Sequence, residues 1–292
     1  MIHEKMPDSK SSCKTSSCGS GKSAAIQRNE ELTKAALSKI KFKILVMSGK
    51  GGVGKSSVAC NLAVALSNRG FKTGLMDVDV HGPSVAKIMG MKGLLDATED
   101  RMLIPMAFGD NLKIVSMQSL LPHEDQAIIW RGPAKGSMIQ QFIGSVKWDN
   151  LDFLIIDAPP GTGDEPLTVI QTVTDAKAVI VTTPQDVALS DVRKSINFCK
   201  TVKMDVIGLV ENMGPFDCPH CAKQIALFNN AGAEKTAAEM GIDFLGYVPF
   251  DIQVGQSCDA GLPIASTHMD SPFMKAFDLI VSKIVEDLGV KK

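Results

Sequence analysis

Two short stretches of this chain carry residue types that do chemistry at a fixed spacing. Cys218-Pro219-His220-Cys221 is a C-x-x-C pair, and Gly49-Lys50-Gly51-Gly52-Val53-Gly54-Lys55-Ser56 satisfies G-x-x-x-x-G-K-[ST]. Two thiols so spaced serve a redox disulfide, half of a zinc site or half of an iron–sulfur site. Zinc and the common clusters take four protein ligands, so the rest of the shell must come from elsewhere. A second copy of the chain, related by symmetry, could supply it. The glycine-rich stretch does a different job. Its backbone N–H groups can converge on phosphate oxygens, helped by the N-terminus of the helix that follows. Gly49, Lys50, Gly51, Gly52, Val53, Gly54, Lys55, Ser56 and Ser57 form the expected nucleotide-binding set. Within it Lys55 is expected on the β- and γ-phosphates of ATP and Ser56 on Mg²⁺.

Carboxylates at the right places extend this set. Asp157 closes the apolar run Phe153-Leu154-Ile155-Ile156 and is followed at once by Ala158-Pro159-Pro160-Gly161-Thr162-Gly163-Asp164. That is the pattern of a buried strand delivering a Mg²⁺-holding Asp to its tip, then a hinge-bearing loop suited to reading a γ-phosphate. Asp79 lies in Asp77-Val78-Asp79-Val80-His81-Gly82-Pro83-Ser84, also just after an apolar run. It reads either as a second Mg²⁺-side carboxylate or as a helix cap near Pro83. Lys50 occupies a position that the general loop pattern leaves free. It is either a solvated lysine or a cation for the phosphates of a neighbouring subunit's nucleotide, in the manner of an arginine finger. By itself, Asn212 is equally credible as a turn residue.

The elements that must position these groups alternate along the chain. Short apolar runs at Ile44–Met47, Gly74–Met76, Leu151–Ile156, Ala178–Thr182, Val206–Val210 and Phe244–Val248 read as strands. Helical stretches at Lys55–Asn68, Pro133–Val146, Val187–Val202, Ala231–Met240 and Pro272–Leu288 separate or follow them. Continuous apolar strands spaced by helices indicate a mostly parallel α/β sheet covered on both faces. Between Arg101 and Ser116 two strand-like pieces flank Gly109-Asp110-Asn111, the signature of a hairpin insertion. The expected organisation is a tail with a short helix over 1–40 and one α/β domain over 41–292. The tail's Gly19-Ser20-Gly21-Lys22-Ser23 imitates a phosphate loop, but position 16 is Ser and no apolar strand precedes it.

Composition removes several function classes. A net charge of −1 and a pI near 6.5 give no global basic field for nucleic acid. No apolar run approaches the ~18 residues of a membrane span, and the polar N-terminus lacks the core of a secretory signal. The expectation is a cytoplasmic protein with neither a membrane nor a nucleic-acid partner. Seven cysteines at irregular spacing do not form a disulfide framework. Cys60 and Cys199, on amphipathic helices, read as small core residues; Cys258 reads either way.

Lys50–Ser56 has the K-G-G-x-G-K-[ST] form and resembles the loop of the deviant Walker A ATPases. That group includes the nitrogenase iron protein, the MinD and ParA positioning ATPases and the Mrp-type cluster carriers. With Pro159–Asp164, Trp130-Arg131-Gly132-Pro133 and Asp77–Ser84, the chain is similar to the Mrp-type (ApbC/Nbp-like) iron–sulfur cluster carriers from about Lys43 to Ile264. The resemblance implies a P-loop NTPase fold like that of the nitrogenase iron protein and MinD, and an ATP-dependent scaffold that passes its cluster to apo iron–sulfur proteins. It implies that Lys50 reaches across a sandwich homodimer to the partner's ATP, and that Asp79 helps place Mg²⁺ and the attacking water. It further implies that Asn212 reads the adenine, with Val248-Pro249-Phe250-Asp251 beside the base. Cys218 and Cys221 would share a bridging [4Fe–4S] cluster with a second subunit. Eukaryotic relatives carry four N-terminal cysteines where this chain has Cys13 and Cys18. The competing expectation is a MinD/ParA-like positioning ATPase acting on a membrane or DNA through a C-terminal amphipathic helix. The stripe Phe273, Phe277, Ile280, Ile284 and Leu288 has the required spacing. Its mixture of Asp278, Lys283, Glu286 and Asp287 favours core packing.

Overall fold

Apolar runs without alternation make strands that are buried on both faces, and here they build the centre of one sheet. The computed structural model describes residues 24–80, 82–120, 132–228 and 232–290. Cys13 and Cys18, the imitation loop at 19–23, His81 and Trp130-Arg131 lie outside the described residues.

The chain runs α1 (Ala24–Leu37), β1 (Ile40–Ser48), α2 (Lys55–Asn68), β2 (Thr73–Asp77) and α3 (Val85–Ile88). It continues through β3 (Met106–Phe108), β4 (Leu112–Ser116), α4 (Gly132–Gly144), β5 (Leu151–Asp157), α5 (Asp164–Thr172), β6 (Lys177–Thr182) and α6 (Asp186–Thr201). The last third comprises β7 (Val206–Gly214), β8 (Phe216–Asp217), β9 (Gln224–Ile225), α7 (Ala233–Met240), β10 (Phe244–Pro249), α8 (Ile252–Asp259), α9 (Ile264–Thr267) and α10 (Pro272–Asp287).

Eight strands form the main sheet in the order β10-β7-β6-β1-β5-β2-β4-β3, and every neighbouring pair is parallel except β3 with β4. The expected hairpin insertion is therefore different in kind. β3 and β4 do form a hairpin, but β4 pairs in parallel with β2 and extends the sheet itself. Leu112, Ile114 and Val115 are buried in the cores, which is why this hairpin joins the sheet. β8 and β9 stand apart as a two-stranded sheet.

Alternation along the strands divides the interior in two. Ile44, Val46, Phe153 and Ile155 face a core closed by α2, α3, α9 and α10. Leu45, Met47, Leu154 and Ile156 face the other, closed by α1, α4, α5, α6 and α7. On α10, Phe273, Phe277, Ile280 and Ile284 are all buried, with Leu288 packed against them, so the C-terminal apolar stripe is spent on the core. Cys60 and Cys199 are likewise buried. Among the described residues no helix is long and apolar enough to cross a membrane.

The parallel strands share one C-terminal edge, where β1, β2, β5 and β7 deliver their last residues, the place at which open α/β sheets bind ligands. Phe153 anchors this architecture, its buried ring 5.4 Å from Phe42 and 5.1 Å from Phe71. Phe153→Ala is expected to lower stability by about 3–5 kcal/mol in urea unfolding. Leu279→Ala, on the exposed face of α10, is expected to change it by less than about 0.5 kcal/mol.

Candidate functional site

β1 ends at Ser48, and the chain turns through Gly49–Gly54 before α2 starts at Lys55. Two glycines are demanded by close approach. A Cβ on Gly49 would sit 2.5 Å from the Asp191 carbonyl carbon, and one on Gly54 would sit 2.2 Å from Asn212 Nδ2. Gly54 also has φ +79°, in the left-handed region that glycine adopts without strain. The other side of the loop is open, with nothing within 4 Å of a Cβ on Gly51 or Gly52. No side chain caps α2, so the first-turn N–H groups are presented to whatever enters this cradle. An anion the size of a phosphate chain fits that donor set.

Lys55 is not extended into the cradle. It is buried, and its Nζ donates to Asp157 Oδ1 at 2.5 Å and to Ser56 Oγ at 3.3 Å. Asp157 differs from the expectation of an emergent strand tip: it is fully buried, because β5 is flanked on both sides by β1 and β2 to its last residue. Burial pushes its carboxyl above the usual range, while Lys55 and the Ser56 hydroxyl pull against that shift. Its second oxygen, Oδ2, is buried without a hydrogen-bond partner. An orphaned anionic oxygen is costly, and a divalent cation with oxygen ligands is the group that relieves it. Mg²⁺ held by Asp157 and Ser56 therefore fits the residues present.

Asp77 does more here than its sequence context indicated. Its Oδ1 accepts from Asp79 N at 3.1 Å; its Oδ2 accepts from Val85 N at 3.2 Å and Ser116 Oγ at 3.0 Å. One carboxylate thus ties both ends of the 78–85 loop to β4. Burial and the neighbouring Asp157 push Asp77 up to about 8. Asp79 lies buried at the loop's start, with Oδ1 accepting from Gly82 N at 3.1 Å, so it turns the loop, and its charge adds to the upward push on Asp157. The following loop is fastened similarly, Gly161 N donating to Ser48 O at 2.9 Å. Lys50, half-buried, donates to Gln185 Oε1 of its own chain at 3.1 Å.

Beside Gly54 and Ser57 opens an apolar cavity of ≈ 330 Å³, walled by Asn212, Met213, Phe250, Ile252 and Cys258. Asn212 spends its amide N–H on the phosphate loop, donating from Nδ2 to Val53 O at 2.9 Å. It thus lines the cavity and latches β7 to the loop at once. Of residues 248–251, Pro249, Phe250 and Asp251 line the cavity, together with Ile252, Val254, Gly255 and Cys258 of α8, a helix not read from the sequence. A signal for that helix was present: Asp251 caps it, accepting from Gln253 N at 2.9 Å, directly after the β10 strand. Cys258 is part of this wall, with Sγ 3.8 Å from Ser57 Oγ.

The cysteine pair sits on the hairpin that continues from β7. β8 and β9 hold a turn in which Cys218 N donates to Lys223 O and Ala222 N to Cys218 O, both at 2.9 Å. Cys218 is half-buried and Cys221 exposed; both are free thiols. Hydrogen bonding from the backbone of His220 and Cys221, and from the Cys221 side chain, lowers the pKa of Cys218. Such a turn favours a thiolate, the form that binds metal. Among the described residues no group of three or more His, Cys, Asp or Glu is placed to hold a metal ion. His220 does not complete the shell within the chain.

Two outcomes follow from this geometry. Lys55→Met leaves Asp157 buried without its cation, and is expected to cost about 3–5 kcal/mol in urea unfolding and to abolish ADP binding. Adding Asp157→Asn is expected to recover much of the stability but none of the binding. Cys218 is expected to alkylate with iodoacetamide at a lower pH than the cysteines of an unstructured peptide of the same local sequence, because the turn's N–H groups stabilise its thiolate.

The family model for the ParA group, described as NUBPL iron-transfer P-loop NTPase, matches residues 39–285. The iron-sulfur cluster carrier protein of Methanocaldococcus jannaschii is 44% identical over 257 residues, covering 88% of each chain. A cytosolic Fe-S cluster assembly factor NUBP2 homolog from Monosiga brevicollis is 42% identical over 264 residues, covering 89% of this chain and 93% of the relative. Among solved structures, a nucleotide-binding protein from Archaeoglobus fulgidus in complex with ADP superposes with a TM-score of 0.73 at 38% identity, covering 85% of this chain and 96% of that one. The cell division ATPase MinD of Pyrococcus furiosus shares the fold, with a TM-score of 0.64 at 23% identity over 84% of this chain and 98% of that one. A phosphate loop, a buried Asp on the adjacent strand and a paired-thiol turn on one sheet edge, together with a match across nearly the whole described chain, place this protein in the ParA/NUBPL iron-transfer family of P-loop NTPases.

Proposed function

We propose that the chain is an ATP-dependent iron–sulfur cluster carrier of the cytoplasm, which binds a [4Fe–4S] cluster between two copies of itself and passes it to apo iron–sulfur proteins. The observation that carries this reading is the paired-thiol turn. It has two free cysteines, one favoured as a thiolate, on a hairpin rooted beside the phosphate loop. Two such turns across a dimer axis supply the four thiolates that a [4Fe–4S] cluster takes. The names carried by the relatives at 42–44% identity support the same reading.

Residues 41–292 act as one ATPase domain in this reading. Gly49–Ser57 cradle the phosphates of ATP, and Lys55 exchanges Asp157 for the β- and γ-phosphates. Ser56, Asp157 and Asp79 would hold Mg²⁺, which would screen phosphate charge. Asp79 also orients the attacking water. The amide oxygen of Asn212 is the acceptor that an adenine amino group needs, and its Nδ2 stays on Val53 O. Lys50 would leave Gln185 for the partner's ATP. The contact it gives up is a single ammonium–amide hydrogen bond, about 1.5–3 kcal/mol for a bond with one charged partner, against phosphate contacts in which both partners are charged.

Anaerobic reconstitution tests the proposal. Wild-type protein is expected to bind close to four iron and four sulfide per dimer, with mass measured by light scattering. Cys218→Ala/Cys221→Ala should retain ADP binding and bind no cluster. Lys50→Ala should keep both nucleotide and cluster while losing most ATP hydrolysis. A full cluster on the double cysteine variant would overturn the reading.

A further inference from the structure

The base cavity and the cysteine hairpin meet at one aromatic ring. Phe250 walls the ≈ 330 Å³ cavity beside Gly54 and Ser57. It also walls a second cavity, of ≈ 520 Å³, that separates the hairpin residues Phe216, Asp217 and Pro219 from Tyr247, Ile252 and Pro272 of the body. Across this second cavity the Phe216 and Phe250 rings touch, with centroids 5.4 Å apart and planes tilted by 51°. The root of the hairpin is fixed on the other side. Asn212 is latched to Val53 O, and Phe250 N donates to Gly214 O at 3.0 Å. Between these fixed points Met213 holds φ 60°, a left-handed conformation that is uncommon for a side chain of its size. The hairpin is thus joined to β7 through a left-handed residue, borders the ≈ 520 Å³ cavity, and carries a ring contact to Phe250. That ring belongs to the wall of the nucleotide cavity.

We propose that occupancy of the base cavity sets the pose of the Cys218–Cys221 turn through the Phe250–Phe216 contact, with Met213 as the pivot. The inference rests on the reading of the ≈ 330 Å³ cavity as the base site and of the thiol pair as the cluster site. A ligand shifts a conformational equilibrium only by contacts that differ between the states. A base against one face of Phe250 makes such contacts. The partner ring Phe216 lies two residues before Cys218, so a tilt of Phe250 is delivered to the turn with little chain between. Phosphates alone, bound at the loop, do not touch Phe250. The coupling therefore belongs to the base and not to the phosphates.

Alkylation of Cys218 and Cys221 by iodoacetamide, followed by mass spectrometry on the full-length, metal-free protein under anaerobic conditions, reads the pose directly. Saturating ADP is expected to change the rate at one or both cysteines by at least about fivefold, the lower end of ordinary coupling between sites. Saturating tripolyphosphate, which fills the loop without a base, is expected to leave the rate within about twofold of the free protein, well under that coupling range. Phe216→Leu keeps an apolar side chain on the hairpin but removes the ring. It is expected to bind ADP with affinity within about fivefold of wild type, the size of the coupling removed, to reconstitute a cluster, and to lose the ADP effect. Equal effects of tripolyphosphate and ADP on the wild type overturn the proposal, as does an undiminished ADP effect in Phe216→Leu. So does an ADP effect below twofold while calorimetry shows ADP bound. Absence of ADP binding to the wild type would instead overturn the base-site reading on which the proposal stands.

Discussion

The buried ion pair between Lys55 and Asp157 is the contact around which the site is arranged. It joins the start of α2 to the end of β5 across 102 residues of sequence, at the centre of the sheet and out of reach of water. Taking both charges out of water carries a desolvation penalty that their mutual attraction only partly offsets, so such a pair is weak evidence of stability for its own sake. Its position explains it better. Under the function proposed above, an anionic ligand in the glycine cradle would compete with Asp157 for the lysine, and a cation beside Ser56 would compensate the carboxylate left behind. Lys55 and Asp157, which pair with each other here, are the groups proposed to meet phosphate and Mg²⁺.

The loops around this pair are fastened to the sheet and not left free. Asp77 ties both ends of the 78–85 loop, Gly161 is bonded to the end of β1, and Asn212 clasps Val53. Each fastening involves a group at the C-terminal edge of a parallel strand, and that edge is where the dipoles and loose ends of the fold converge. The paired-thiol turn grows from the same edge through β7. Nucleotide chemistry and thiol chemistry are neighbours because both were built at the one rim that a parallel sheet leaves open.

Much of this was legible in the residues. The glycine loop, the two Asp-ending strands and the C-x-x-C pair are local patterns, and each has a local physical cause: backbone freedom, burial of an apolar run, or spacing of ligands. The C-terminal stripe of α10 was also readable, since its mixed charges suited a solvated outer face and its apolar side lies in the core. The hairpin of β3 and β4 was recognised as a hairpin, yet its parallel pairing with β2 was not, because edge position depends on which apolar surface remains uncovered. α8 escaped the reading although Asp251 marked its start, since eight residues give little periodicity to see.

What the sequence by itself determined is the inventory: which side chains could bind phosphate, magnesium or a cluster, and that a mostly parallel α/β sheet carries them. Only the tertiary structure decided how they are used in one chain. It placed Lys55 on Asp157 and left Oδ2 of that residue without a partner; it turned Asp77 into a clamp and Asn212 into a latch. It also set the Phe216 ring against Phe250 in the wall of the ≈ 330 Å³ cavity. The reason is common to all of these. A motif is fixed by neighbours in sequence, but hydrogen-bond partners, burial and shared walls are fixed by strand order, and strand order brings together residues that no local pattern can pair.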